Sequence, residues 1–283
     1  MNLKDILNKY QVVLGNIYDE QEILAIFLLV AQSISSLSRS QIAVRWEESV
    51  TFKNVEEYSL ILERLAKEEP LQYILAEAYF YGFRLNVNSA VLIPRPETEE
   101  LVELAINTLK NKSTVFKILD IGTGSGCIAI ALKHNLANAD VYALDVSPEA
   151  LEIAGQNANR HHAEISFIQE DIRTYKSNEK FDVIISNPPY ITDKERALMN
   201  KNVMDYEPHL ALFVSDESPL EFYEAIASFA MQNLNNDGLL FFEINANYGK
   251  ETASMLANTF YDNVEIFKDM QGKDRFITAR KSG

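Results

Sequence analysis

Cysteine is almost missing from this chain of 283 residues: Cys127 stands alone. One thiol excludes an intrachain disulfide framework and a cysteine-built zinc site, and so low a usage fits a reducing compartment. Positive charge is also scarce. Lys and Arg total 26 against 41 Asp and Glu, a formal net charge of −15. A surface that acidic repels phosphate backbones, which argues against bulk electrostatic binding of nucleic acid. Long apolar runs are lacking too. The longest, residues 23–31, holds nine residues, whereas a membrane-spanning helix needs about 20; it reads as one buried helix of a small bundle. The first residues carry neither a basic stretch before an apolar core nor an Arg-rich, acid-poor transit pattern. The expected location is the cytoplasm. Histidines are few and scattered: His134 and His209 have no companion at metal-ligand spacing, and His161 and His162 close a polar helix end. No metal is expected.

What is present is an ordinary globular mix, 47% hydrophobic and 24% charged. The length suits one large domain or two smaller ones and can bury a core without staples. Residues 1–75 read as helical, with Leu3, Ile6, Leu7 and Tyr10, then Leu60, Ile61 and Leu65, recurring at helical spacing. Asp19 is placed to cap the helix carrying residues 23–34, with Glu22 at the capping-box position, and Gly15 and Pro70 fall where helices would stop. Trp46 is expected in the helical core or at a domain interface. Residues 76–95 read as a β-hairpin linker: Ala78-Tyr79-Phe80-Tyr81-Gly82-Phe83-Arg84-Leu85 suits a strand, Asn86 and Asn88 supply turn chemistry, and Val91-Leu92-Ile93 follows. Pro96 can open a helix with acids in its first turn. Residues 96–283 form the second domain. Strands at 115–121, 141–144, 165–168, 181–186 and 239–244 alternate with helices at 127–132 and 148–159, which means a parallel sheet covered on both faces. Residues 264–267 and 275–279 can supply two final strands.

The central signal is Asp120-Ile121-Gly122-Thr123-Gly124-Ser125-Gly126, set between a strand and a helix. Glycines let the backbone turn tightly and approach a ligand, and the helix start offers unpaired amides. The pattern suits nucleotide-dependent oxidoreductases and methyltransferases alike. Its spacing is not the dinucleotide G-x-G-x-x-G. The next strand ends in Asp145, a carboxylate suited to the two ribose hydroxyls of an adenosine, whether of NAD or of S-adenosylmethionine. After the third strand, Asp171 can accept from an adenine amino group and Ile172 can cover the ring; a helix cap or plain loop acid is the alternative for Asp171. Cys127, opening the helix, reads as a small buried hydrophobe rather than a nucleophile.

The fourth strand ends in Ser186-Asn187-Pro188-Pro189-Tyr190. Prolines stop the strand and stiffen a loop at its carboxyl end, where ligand sites of α/β sheets lie. The Asn187 side-chain oxygen and the Pro188 backbone oxygen can each accept one N–H of a planar –NH2 group. The Tyr190 ring can lie over that group and exclude water. A nitrogen so held can attack a sulfonium methyl in line, and positioning supplies much of the rate.

On these residues the chain from 71 onward resembles the HemK/PrmC family, class I S-adenosylmethionine-dependent methyltransferases that act on a protein glutamine. The resemblance is carried by Pro70-Leu71-Gln72-Tyr73-Ile74, by Leu92-Ile93-Pro94-Arg95-Pro96-Glu97-Thr98-Glu99, by the glycine loop, by Asn187-Pro188-Pro189-Tyr190, and by Tyr206-Glu207-Pro208 with Ala211-Leu212. It implies an α/β fold: a Rossmann-like seven-stranded sheet preceded by a small helical substrate-recognition domain. It implies S-adenosylmethionine as cofactor and S-adenosylhomocysteine as product. The implied partner is a class I peptide-chain release factor, methylated on the glutamine of its Gly-Gly-Gln tip. Neither nucleic acid nor membrane is expected as a partner on charge and apolar-run length, and a monomer is expected. Gly122, Thr123, Gly124, Ser125 and Gly126 would follow the cofactor's methionine part and sugar, Asp145 the ribose, Asp171 and Ile172 the adenine. Asn187, Pro188, Pro189 and Tyr190 would hold the glutamine amide, with Asn187 also near the cofactor. Arg95 and Glu97 would sit close by, Arg95 having a surface ion pair as its alternative.

The chain departs from the family pattern at Ala76 and Asn245, where glycine is usual, at Tyr248-Gly249, and at Ile172, where some relatives carry tryptophan. These bear on local loop shape and adenine packing rather than on the reaction. Other readings stay open: a glutamine methyltransferase of a ribosomal protein, an adenine or cytosine amino methyltransferase of nucleic acid, disfavoured by the acidic charge, a nicotinamide oxidoreductase, or a non-catalytic cofactor-binding scaffold.

Overall fold

The computed structural model describes residues 1–197 and 199–282. The chain divides into two units, Met1–Glu77 with Asn200–Tyr206, and the remainder. Among the described residues, no helix is long and apolar enough to cross a membrane.

The first unit is built from α1 (Leu3–Leu14), α2 (Glu20–Ser35), α3 (Arg39–Val44), α4 (Phe52–Leu65) and α5 (Leu71–Leu75). Local chemistry sets their ends. Asn2 caps α1 in a reciprocal box with Asp5, and Gly15 closes it. Asp19 caps α2 by accepting the Glu22 N–H at 2.8 Å. The apolar faces meet around Phe27, which is fully buried. Its ring stacks on Tyr58 at 5.7 Å and meets Tyr10 and Trp46 edge-on at 5.4 and 5.9 Å. Trp46 therefore belongs to the helical core. The buried Tyr10 hydroxyl is satisfied by donating to the Tyr58 carbonyl at 2.8 Å. Ala76 closes α5 with φ of 54°. That left-handed conformation explains why glycine is usual at this place.

The second unit starts at Ala78, within β1 (Glu77–Phe80), which forms a hairpin with β2 (Phe83–Asn86), and α6 (Pro96–Leu109) follows. Residues 91–93, expected as part of the hairpin, lie outside any strand; Val91 and Ile93 are buried instead. Pro96 opens α6 as its first helical residue, with Glu97 and Glu99 in the first turn. The chain then alternates: β3 (Phe116–Ile121), α7 (Cys127–Asn135), β4 (Ala139–Asp145), α8 (Pro148–Arg160), β5 (Ile165–Gln169) and β6 (Phe181–Ser186). The connection onward holds β7 (Ile191–Thr192), α9 (Asp193–Arg196), α10 (Lys201–Tyr206) and β8 (Phe213–Val214). Of these, α10 groups with the helical unit, where the Tyr206 hydroxyl donates to the Lys67 carbonyl at 2.9 Å and Lys201 pairs with Glu68 at 3.3 Å. The chain ends with α11 (Glu221–Asn233), β9 (Leu234–Glu243), α12 (Gly249–Ala257), β10 (Tyr261–Lys268) and β11 (Asp274–Lys281).

Seven of these strands form one sheet in the order β10-β11-β9-β6-β3-β4-β5. All neighbours are parallel except that β11 runs antiparallel to both β9 and β10. Successive residues of β3 face opposite cores: Ile118 packs with α6 and α7, Leu119 with α11 and α12. Both faces are thus dry, which is why β3 and β6 read as nearly unbroken apolar runs. The strand order reverses between β3 and β6, the place where parallel sheets open a crevice at their carboxyl ends. Register lines those ends up: Ile121 pairs with Leu144 and with Ser186, and Ser186 with Phe242. The residues immediately beyond, Gly122, Asp145, Asn187 and Glu243, consequently emerge side by side.

Candidate active site

A cavity of about 380 Å³ opens at these strand ends. Its walls include Gly122, Thr123, Gly124 and Ser125 of the glycine loop, Asp145 at the end of β4, Asp171 and Ile172 after β5, and Asn187, Pro188 and Pro189 after β6. Leu92, Arg95 and Thr98 also face it. Most of the residues singled out in the sequence meet in this one space.

The glycine loop is shaped by backbone hydrogen bonds. Gly122 and Thr123 N–H both donate to the Leu144 carbonyl, at 2.8 and 3.0 Å. Gly122 takes φ of 73°, and a Cβ there would stand 4.0 Å from the Asn187 carbonyl oxygen. Strain rather than crowding reserves this position for glycine. Asp145 braces the loop: one carboxylate oxygen accepts from Gly124 N–H at 2.9 Å, the other from Ser147 N–H at 3.0 Å. Burial raises its pKa against those two bonds. Asn157, fully buried on α8, donates to the carbonyls of Asn86 and Ser125 at 2.9 Å each and pins the loop from below.

Asp120 lies under the loop with no exposed surface. Thr123 Oγ1 donates to its Oδ2 at 2.7 Å, while its Oδ1, like Ser125 Oγ, is buried without a hydrogen-bond partner. Burial pushes the Asp120 carboxyl up to about 7. Burial likewise takes the Cys127 thiol to about 12, so it stays protonated and is no nucleophile at neutral pH.

Asp171 is gripped by Arg173, whose guanidinium reaches its oxygens at 2.7 to 3.1 Å and holds the carboxyl below the usual range. Arg173 also donates to Glu221 at 3.0 Å. Ile172 is buried, and Phe222 from α11 joins it on the wall, so an aromatic ring reaches this end of the cavity from a different element.

Three expected residues lie elsewhere. Tyr190 is not on the cavity wall: its hydroxyl donates to Glu243 Oε1 at 3.0 Å, and its ring packs with the core around α11. Burial raises its hydroxyl's pKa, so it remains a donor. Glu97 does not line the cavity, whereas the next residue, Thr98, does. Gly126 is the cap of α7, with φ of 80°, and a Cβ there would come within 3.2 Å of the Ala154 Cβ; its role is close packing of α7 on α8. The motif reading also missed Glu243. That carboxylate is 1% exposed and accepts from Thr98 Oγ1 at 2.7 Å as well as from Tyr190. Thr98 Oγ1 in turn accepts from Asn187 Nδ2 at 3.1 Å. Asn245 replaces the family's glycine with a tether, donating to the Tyr190 carbonyl at 3.0 Å and to Glu195 at 2.8 Å.

Residues 99–209 match the methyltransferase small domain family, and residues 5–75 match the PrmC N-terminal domain family. The sequence is 43% identical to the release factor glutamine methyltransferase of Flavobacterium psychrophilum over 98% of each chain. The chain belongs to the release factor glutamine methyltransferase family. Another relative of that name, from Bacteroides thetaiotaomicron, is 41% identical over 95% of this chain and 96% of its own. The fold is shared with a methyltransferase crystal structure from Pyrococcus furiosus, at a TM-score of 0.52 and 19% identity, covering 82% of this chain and all of that one. Family membership accounts for both the helical first unit and the seven-stranded sheet of the second.

Proposed function

We propose that this chain transfers the methyl group of S-adenosylmethionine to the side-chain amide nitrogen of the glutamine in the Gly-Gly-Gln motif of class I peptide-chain release factors. The observation that carries the reading is that the glycine loop, Asp145 and the Asn187-Pro188-Pro189 loop meet in a single cavity. The cavity suits a cofactor of that chemistry. A buried hydroxyl on its wall, Ser125 Oγ, lacks a partner, and Asp120 Oδ1 beneath the loop lacks one too. Ile172 and Phe222 on the cavity wall supply the apolar surface that a flat base needs.

In this arrangement Gly122 to Ser125 would follow the methionine part of the cofactor, Asp145 would hold the ribose hydroxyls, and Asp171, Ile172 and Phe222 would flank the adenine. Bound there, S-adenosylmethionine would supply an electrophilic methyl group on its sulfonium and would leave as S-adenosylhomocysteine. The chain's own residues position the nucleophile. Asn187 Oδ1 and the Pro188 carbonyl oxygen accept the two amide N–H groups and aim the nitrogen at the methyl carbon. The amide nitrogen would gain the methyl group as the carbon–sulfur bond breaks and would give up one proton to solvent. Positioning of this kind lowers a barrier by about 7–11 kcal/mol at most. The helical unit takes the role of gripping the release factor, joined by the hairpin to the methyl-transferring unit.

The test is methyl transfer from labelled S-adenosylmethionine to purified release factor, to the same factor with its Gly-Gly-Gln glutamine replaced, and to unmethylated DNA. Label on the intact factor alone is expected. Label on the glutamine-replaced factor or on DNA overturns the reading.

A further inference from the structure

The amide group of an asparagine is nearly symmetric in shape, so nothing in the Asn187 side chain itself decides which end faces the cavity. The function of the site depends on that choice. A substrate –NH2 group offers two donors, and only the oxygen end of Asn187 can accept from it.

The partners behind Asn187 make the choice. Glu243 ends β9; burial raises its pKa, while the hydrogen bonds from Thr98 and Tyr190 and the charge of Arg275 favour the ionised form, whose two oxygens only accept. The Thr98 hydroxyl has one hydrogen, and it points to Glu243 Oε2 at 2.7 Å. What remains on Thr98 Oγ1 is lone pairs. The Asn187 atom 3.1 Å away must then be the donor, Nδ2. Tyr190 donates to the other oxygen of Glu243 at 3.0 Å, so both carboxylate oxygens are engaged. Thr98 is 3% and Glu243 1% exposed, so protein groups rather than bulk solvent satisfy these atoms.

We propose that Glu243 and Thr98 are positioning residues that act through Asn187: the one-way chain of hydrogen bonds from Asn187 through Thr98 to Glu243 holds the amide NH2 group away from the reacting nitrogen and presents Oδ1 to it. The inference rests on the reading that Asn187 receives the glutamine amide. It makes a residue at the end of β9 and one in the first turn of α6 part of the specificity for an –NH2 substrate, although the Glu243 carboxylate, being buried behind Thr98, does not touch that substrate.

The experiment is steady-state kinetics on the full chain with release factor as acceptor, together with the cofactor dissociation constant and the melting temperature of each variant. Thr98→Val keeps the shape and removes the acceptor for Asn187; kcat is expected to fall about 10- to 100-fold, with the cofactor constant within about threefold of wild type. Thr98→Ser restores the hydroxyl and returns most of the lost kcat. Glu243→Gln is nearly isosteric, but its NH2 group can donate to Thr98, freeing the hydroxyl to donate to Asn187 Oδ1 and turn the amide over; kcat falls while the fold and cofactor binding persist. Wild-type kcat in both Thr98→Val and Glu243→Gln overturns the proposal while leaving the functional reading intact. A kcat loss in Thr98→Val that Thr98→Ser does not recover marks a packing role and overturns it as well. No transfer to release factor by the unaltered chain overturns the functional reading, and this proposal with it.

Discussion

The Arg95 guanidinium meets the Glu207 carboxylate at 2.5 Å across 112 residues of sequence. The Glu207 side chain is 1% exposed and also accepts the Ile93 N–H at 3.2 Å. This pair fastens the segment before α6 to the segment after α10, and both segments border the cavity through Arg95 and Pro208. The surface ion pair considered as an alternative for Arg95 is in fact a half-buried one on the cavity wall. Glu207→Ala strands a cation and a buried backbone donor. The expected loss is about 3 kcal/mol, the low end for a broken buried pair because Arg95 keeps a third of its surface exposed. Urea unfolding measures it, and an unchanged midpoint would contradict the role.

Asn187→Ala removes the oxygen that accepts from the glutamine amide. Methyl transfer to release factor should fall at least about 100-fold, since an unaligned nitrogen forfeits the benefit of positioning. Cofactor affinity measured by calorimetry should change by no more than a few-fold. Near-normal transfer would remove Asn187 from the mechanism.

Asp145→Ala should act on the opposite half of the site. It withdraws the proposed ribose acceptor and frees the Gly124 N–H that shapes the loop. A charge-assisted hydrogen bond is worth about 1.5–3 kcal/mol, so the cofactor dissociation constant should rise about 10- to 100-fold. Equal affinity for cofactor in the variant would rule Asp145 out of that contact.

Asp120 makes stability depend on pH in a direction unusual for an acid. Its folded pKa of about 7 stands above the ordinary value of 3.8. The folded state therefore holds the proton more tightly than the unfolded one. The associated stability is fully present below the ordinary value and is lost as pH rises through about 7. Asp120→Asn cannot titrate. Its stability relative to the parent should improve between pH 5 and pH 8 in the cofactor-free protein, by up to about 1.4 kcal/mol per pH unit. Parallel urea curves at the two pH values check this; a constant difference would contradict it.

Ala76 carries a cost that glycine would not. With φ of 54° it occupies the left-handed region at the end of α5. Ala76→Gly should stabilise the chain by about 1 kcal/mol, the relief of left-handed strain outweighing the added freedom of the unfolded chain. Thermal unfolding would show a raised midpoint; a lowered one would mean the strain is absent.

Features with a local cause were legible in the sequence alone. The helical first unit, the strand–helix alternation from residue 115, the cap at Asp19 and the opening of α6 at Pro96 follow from periodicity and terminal chemistry within a few residues. The glycine loop, Asp145 and the Asn187 loop were readable because each ends a strand, and parallel strands bring their carboxyl ends to one edge. Tertiary structure decided what these features touch. Thr98 and Glu243 bond across 145 residues, Thr98 and Asn187 across 89. Such pairings have no period and no spacing, because they are set by which strand ends lie adjacent after the sheet order reverses between β3 and β6. For the same reason Tyr190 proved a donor to Glu243 rather than a wall of the cavity, and residues 200–206 joined the helical unit despite standing amid the α/β sequence. Sequence specified the groups able to do the chemistry; the packing of distant elements chose which buried partner each would face, since a buried polar group must be satisfied by whatever the fold places beside it.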